Sequence, residues 1–191
     1  MNRLTHLAAA VLVASAGASL FAAQQKPTTH EHETMKPLAE ATADIAGDGI
    51  TGTATLAEYQ HADSRIVQIH LTVSGLKPGQ HGVHLHAVGK CTPDFAAAGG
   101  HFDPGPAGNP DPDANHPYHM GDLPQLAVTG PTATMRVATT RVTLSDGPLS
   151  LFDADGSAIV IHGNPDQGIT GEPKSGVSGG PRLACGVIEK K

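Results

Sequence analysis

A chain of 191 residues with a formal charge of -6 and a pI near 6.0 carries no basic stripe of the kind that binding to nucleic acid or to an anionic membrane surface needs. Aromatic residues make up 3% and tryptophan is absent, while 23 glycines and 15 prolines favour short elements joined by turns and long loops over a helical architecture. The length suits one domain of ordinary size plus extensions, and the compositional oddity is 12 histidines.

Residues 1–23 read as a secretory signal peptide: Met1-Asn2-Arg3 supplies a positive end, and Leu7 to Phe21 is apolar and rich in small residues. Cleavage after Ala18, Ala22 or Ala23 fits the pattern. An uncleaved membrane anchor is the alternative, but an apolar run of about 15 residues is short for a span, so no membrane association is expected once the signal is removed. No cysteine lies near this segment, which excludes a lipid-anchored lipoprotein. Residues 24–37 (QQKPTTHEHETMKP) are polar and lack apolar periodicity, as expected of a flexible tether. Its His30 and His32 are either weak metal-capturing groups or part of a solvated tail.

From residue 38 to 191 the periodicity is that of strands. Leu38–Ile45 and Ile50–Tyr59 are separated by Gly47-Asp48-Gly49. Arg65–Ser74 is the clearest strand, with Val67, Ile69, Leu71 and Val73 on one face and Gln68, His70 and Thr72 on the other. Gly75 to Gly79 is a turn into the strand that carries His84 and His86. Further strands are predicted at Thr132–Ala138, Arg141–Leu144, Ser157–His162 and Arg182–Ile188. Eight short strands with turn signals between them imply an antiparallel sandwich or flattened barrel with Greek-key connections.

The chemistry concentrates around Gly82-Val83-His84-Leu85-His86. Side chains alternate along a strand, so both imidazoles project to one face while Val83 and Leu85 enter a core. Two long stretches, Gly89–Leu123 and Asn164–Pro181, are rich in Gly, Pro, Asp and Asn, and loops this long in a compact domain are usually functional or disordered. They carry His101, His116, His119, Asp122 and Asp166, and the second begins just after His162. The only cysteines, Cys91 and Cys185, read in an exported chain as one disulfide rather than a redox or zinc pair.

Five motifs in order, GVHLHAVGKC (82–91), GGHFDP (99–104), HMGDLP (119–124), VIHGNPDQ (160–167) and PRLACGVI (181–188), resemble those of the copper/zinc superoxide dismutases, in particular the exported bacterial type. The resemblance implies an eight-stranded antiparallel Greek-key β-barrel with the metal site outside it, under the two long loops. It implies copper ligation by His84, His86, His101 and His162, with His101 bridging to a zinc held also by His119 and Asp122. Asp166 resembles the carboxylate that links a copper histidine to a zinc histidine, and His81 a structural histidine bonded to backbone. Arg182 resembles the arginine that attracts and orients superoxide, and His101 the group that leaves reduced copper and returns with a proton.

The pattern departs at one place. Relatives carry another zinc histidine about eight residues after the bridging one, where this chain has Asn109; His116 is the uncommitted histidine of that loop, and it is predicted to be the fourth zinc ligand because closed zinc sites are almost always four-coordinate. The function implied is dismutation of superoxide in the periplasm or outside the cell, by a monomer or a homodimer. Two alternatives from other classes are a non-catalytic copper-binding or copper-delivery module on the same barrel, and zinc hydrolysis, which would need a general base beside a metal-bound water.

Overall fold

The structure, a computed structural model, describes residues 35–106 and 108–191. The expected signal peptide, most of the tether, and His30 and His32 lie outside the described residues.

Among the described residues ten strands form: β1 (Ala39–Gly47), β2 (Ile50–His61), β3 (Ser64–Ser74), β4 (Gly79–His81), β5 (Val83–His86), β6 (Leu126–Val128), β7 (Thr132–Thr139), β8 (Ala158–His162), β9 (Arg182–Val187) and β10 (Glu189–Lys190). One curled antiparallel sheet runs β5-β8-β9-β1-β2-β3-β7 with β10 added to β1, and β4 pairs with β6 beside it. This is the all-β, eight-stranded antiparallel barrel expected from the turn and alternation signals. The only helical element among the described residues is a single 3-10 turn, Phe95–Ala98.

Register follows from the alternation. Ala41, Leu56, Ile69 and Val137 lie side by side across β1, β2, β3 and β7, and the first three are at most 1% exposed. A slip of one residue would turn this apolar row outward. The predicted face Val67, Ile69, Leu71 and Val73 is buried throughout. On β5, Val83 and Leu85 join the same core, so His84 and His86 must project to its other face.

The strand expected at Arg141–Leu144 does not form. Val142 and Leu144 alternate into the core as predicted, but the segment makes only an isolated bridge, Thr143 with Ser150. Its backbone is taken by another partner. The fully buried Glu58 carboxylate accepts the Leu144 and Ser145 N–H groups and the Ser145 hydroxyl, and it also meets the Arg65 guanidinium at 3.2 Å. A side-chain acceptor that captures these two amides stops a ladder from extending past the Thr143 bridge, where Thr143 N–H donates to Leu149 O at 2.8 Å.

Cys91 and Cys185 form a disulfide with Cα atoms 5.8 Å apart, closing 94 residues of sequence separation. It ties the start of the first long loop to β9. Thiol titration of oxidatively folded protein is expected to find no free thiol, and the Cys91→Ser/Cys185→Ser variant to lose about 4 to 5 kcal/mol of stability in the chain-entropy account. Two titratable thiols in the folded wild type would contradict the first expectation, and unchanged denaturation midpoints the second.

Candidate metal centre

The first long loop leaves β5, turns through Phe95–Ala98 and returns along β5 itself. Phe102 N–H donates to Leu85 O and Leu85 N–H to Gly121 O, both at 2.9 Å, and Gly121 N–H donates to Phe102 O at 2.8 Å. Two lengths of loop are thereby strapped to the strand, anchored by Phe102 and Leu123 in the core. Position 121 must be glycine, because a Cβ there would run into the Leu85 carbonyl. The strap places His101 opposite His86 and Asp122 opposite His84.

His162 ends β8, next to β5 in the sheet. Opposite it, regular pairing breaks: Ile161 faces Ala184, but His162 faces Arg182, with Leu183 skipped. A bulge of this kind re-aims side chains, and here it sets Arg182 beside His162. The two line one cavity of about 220 Å³ with Asp113, Lys174, Gly176 and Ser178. The guanidinium is held by backbone, Nη1 donating to Phe95 O and Nη2 to Gly99 O, both at 2.6 Å.

Two groups of side chains offer ligand atoms within 4.8 Å of one another: His84, His86, His101 and His162, and then His84, His101, His116 and Asp122. His119 is not in the second group, yet its Nδ1 lies 2.9 Å from Asp122 Oδ2 and 3.3 Å from His101 Nδ1. Each ring has one nitrogen committed to a fixed acceptor. His86 Nδ1 donates to Gly99 O, His162 Nδ1 to Gly180 O and His119 Nε2 to Ala114 O. His84 Nε2 and His116 Nε2 donate to opposite oxygens of Asp166, at 2.9 and 2.6 Å. Carbonyls and carboxylates can only accept, so in the neutral ring these bonds choose the tautomer and present a lone pair on the other nitrogen.

Those other nitrogens, His84 Nδ1, His86 Nε2, His101 Nε2, His116 Nδ1 and His162 Nε2, are buried without a hydrogen-bond partner. Buried polar atoms are rarely left so. Their convergence fits a donor set that a cation completes. Asn109, by contrast, is exposed and caps its own loop, accepting the Asp111 N–H. His81, as expected, meets only backbone oxygens, those of Lys77 and His162.

The copper/zinc superoxide dismutase (SODC) family profile matches residues 50–188. The chain belongs to the copper/zinc superoxide dismutase family. It is 41% identical over 152 residues to the superoxide dismutase [Cu-Zn] of Caulobacter vibrioides, covering 75% of this chain and 82% of that protein. It is 38% identical to the superoxide dismutase [Cu-Zn] of Deinococcus radiodurans over 73% of this chain and 78% of that one. It is also 34% identical to the copper chaperone for superoxide dismutase of Rattus norvegicus, over 82% of this chain but 55% of the chaperone. In fold it matches the crystal structure of the clock protein EA4, with a TM-score of 0.63 at 24% identity over 82% of this chain and 98% of that one.

The family binds copper and zinc, and both kinds of site have suitable donors here. All-imidazole sets suit copper, and mixed imidazole and carboxylate sets suit zinc. The two groups also differ in charge. Burial pushes His101 down to about 4 and His162 to about 3, and it lowers His84 and His86 as well, so these rings are neutral and ready to ligate. His116 is the opposite case: burial opposes its charge, but the adjacent Asp122 and Asp166 carboxylates outweigh this and raise it to about 9. Asp122 and Asp166 are correspondingly held well below the usual carboxylate range against the effect of burial.

A pH dependence follows from these signs. At pH 7 the metal-free His116 ring holds a proton that a cation must displace, whereas burial leaves the rings of the four-histidine group neutral, with no such proton to displace. Affinity at the group containing His116 is therefore expected to rise about tenfold per pH unit between pH 6 and 8 for each proton displaced, with copper affinity at the other group nearly flat. Calorimetric titration in buffers of different ionisation enthalpy counts the protons; zinc binding without proton release would refute the assignment of charge.

Proposed function

We propose that this protein dismutates superoxide outside the cytoplasm, with copper held by His84, His86, His101 and His162, and zinc by His101, His116, His119 and Asp122. The observation that carries the reading is the set of four unpartnered ring nitrogens, His84 Nδ1, His86 Nε2, His101 Nε2 and His162 Nε2, beside a small cavity that also exposes Arg182. Copper held there would supply one-electron chemistry, by which one superoxide would be oxidised to oxygen and a second, with two protons, reduced to hydrogen peroxide. The chain supplies access, orientation and protons. Arg182 draws the anion toward His162 and orients it. His101, whose Nδ1 faces Asp122 at 2.7 Å while Nε2 faces the other group, is placed to carry a proton at Nε2. Asp166 couples the two groups through His84 and His116.

For zinc, His116 replaces the histidine absent at position 109. Its Nδ1 lies 3.2 Å from Asp122 Oδ2, and its carbonyl accepts the Thr170 hydroxyl at 2.7 Å, which fixes the ring between the two loops. Extracytoplasmic location is supported by the Cys91–Cys185 disulfide and by the signal-like first 23 residues. A second reading, copper delivery without turnover, is raised by the chaperone relative; retention of all four copper-site histidines together with Arg182 favours the enzyme.

Metal content measured together with superoxide turnover of the purified protein decides between them: one copper per chain with turnover supports the dismutase, and copper without turnover supports delivery. Arg182→Ala is expected to keep its copper but to slow turnover about tenfold or more, and to lose most of the wild type's sensitivity to ionic strength. Equal salt dependence in both proteins would remove the steering role. His116→Ala is expected to weaken zinc binding about a hundredfold with copper affinity retained. Unchanged zinc affinity in that variant, or tight zinc binding only in Asn109→His, would sink the assignment of His116.

A further inference from the structure

Asp113 is closed off from solvent in the first long loop, yet its side chain meets none of the histidines. It faces the second loop. Oδ2 accepts the Gly176 N–H at 2.9 Å, while Oδ1 accepts the Ser178 N–H at 3.1 Å and the Ser178 hydroxyl at 2.9 Å. The Asp113 carbonyl takes the Gly171 N–H at 2.9 Å. Burial alone would raise the pKa of this carboxyl, and the amide and hydroxyl donors outweigh it and lower it, so the acceptor remains ionised.

The segment it holds has little order of its own to contribute. Gly171, Gly176, Gly179 and Gly180 fall within ten residues, the last three at positive φ, and Lys174 is also in the left-handed region at φ 66. Such a backbone loses much entropy on ordering, and a buried acceptor for three donors offsets that loss. What is ordered matters to the site: Gly180 O accepts from His162 Nδ1 at 3.1 Å, and Lys174, Gly176 and Ser178 line the cavity that reaches His162 and Arg182.

We propose that Asp113 is a positioning residue, whose carboxylate pins the 171–180 segment in the shape that lets a small anion reach His162 and Arg182. It acts through the segment and the Gly180 carbonyl, not by touching the anion. That the anion is superoxide rests on the proposed dismutase function; the pinning does not.

The test uses copper- and zinc-loaded protein, with azide as the probe anion read by its absorption band on copper, and amide hydrogen exchange as the second readout. In Asp113→Ala, exchange at Gly176 and Ser178 is expected to speed at least tenfold and the azide Kd to rise about fivefold, with metal content unchanged. Ser178→Ala, which removes one hydroxyl, is expected to shift both in the same direction by about twofold. Unchanged exchange in Asp113→Ala overturns the proposal, as does faster exchange with unchanged azide affinity, which would make the residue merely structural. If Asp113→Ala does not fold, Ser178→Ala decides, and no change in either readout there overturns it. Superoxide turnover is not among these measurements, so a wild type without turnover overturns the dismutase reading alone.

Discussion

An imidazole has two nitrogens, and the site depends on how this chain disposes of one of them in five of its buried rings, His84, His86, His116, His119 and His162. Five acceptors do that work: Gly99 O, Gly180 O, Ala114 O and the two oxygens of Asp166. All five belong to the long loops, whereas His84, His86 and His162 belong to strands. Strands therefore set where these three rings stand, and loops set which nitrogen each presents. Leaving a buried polar atom unpaired costs about 1 to 3 kcal/mol, and five such atoms converge here. The same sheet that is stabilised by its apolar core thus carries a locus of unpaired donors suited to a cation.

Much of this was legible in the chain. Alternation alone placed Val83 and Leu85 inward and His84 and His86 together on the opposite face, because the period of a strand is a geometric fact that tertiary context does not alter. Glycine and proline density correctly marked two long loops as carriers of the remaining polar groups. His116 was found by elimination of Asn109, and Asp166 by its motif; the structure brings both beside His84.

Other features depend on partners remote in sequence, and no local pattern announces them. Arg141–Leu144 has strand-like alternation and forms no strand, since the amides of Leu144 and of the following Ser145 are captured by a carboxylate more than eighty residues earlier. The skipped Leu183 that turns Arg182 toward His162 is a property of two paired strands, and a one-strand reading cannot contain it. Asp113 sits among Asp103, Asp111 and Asn115, and composition does not distinguish the one carboxylate that crosses to the other loop from those that cap their own.

The Gly99 carbonyl accepts from both His86 Nδ1 and Arg182 Nη2, and Arg182 finds its other acceptor at Phe95. Its restraints are all electrically neutral, and among the described residues no carboxylate comes within ion-pair distance of it. An arginine fixed by a carboxylate would be equally rigid but would form a dipole whose field dies away within a few ångströms. Fixed by carbonyls, it faces a cavity lined also by Lys174 and Asp113 with no carboxylate paired to it, in a chain whose net charge is -6. The fold thereby separates two properties that side chains usually trade against each other, being held still and remaining charged, and it does so beside His162.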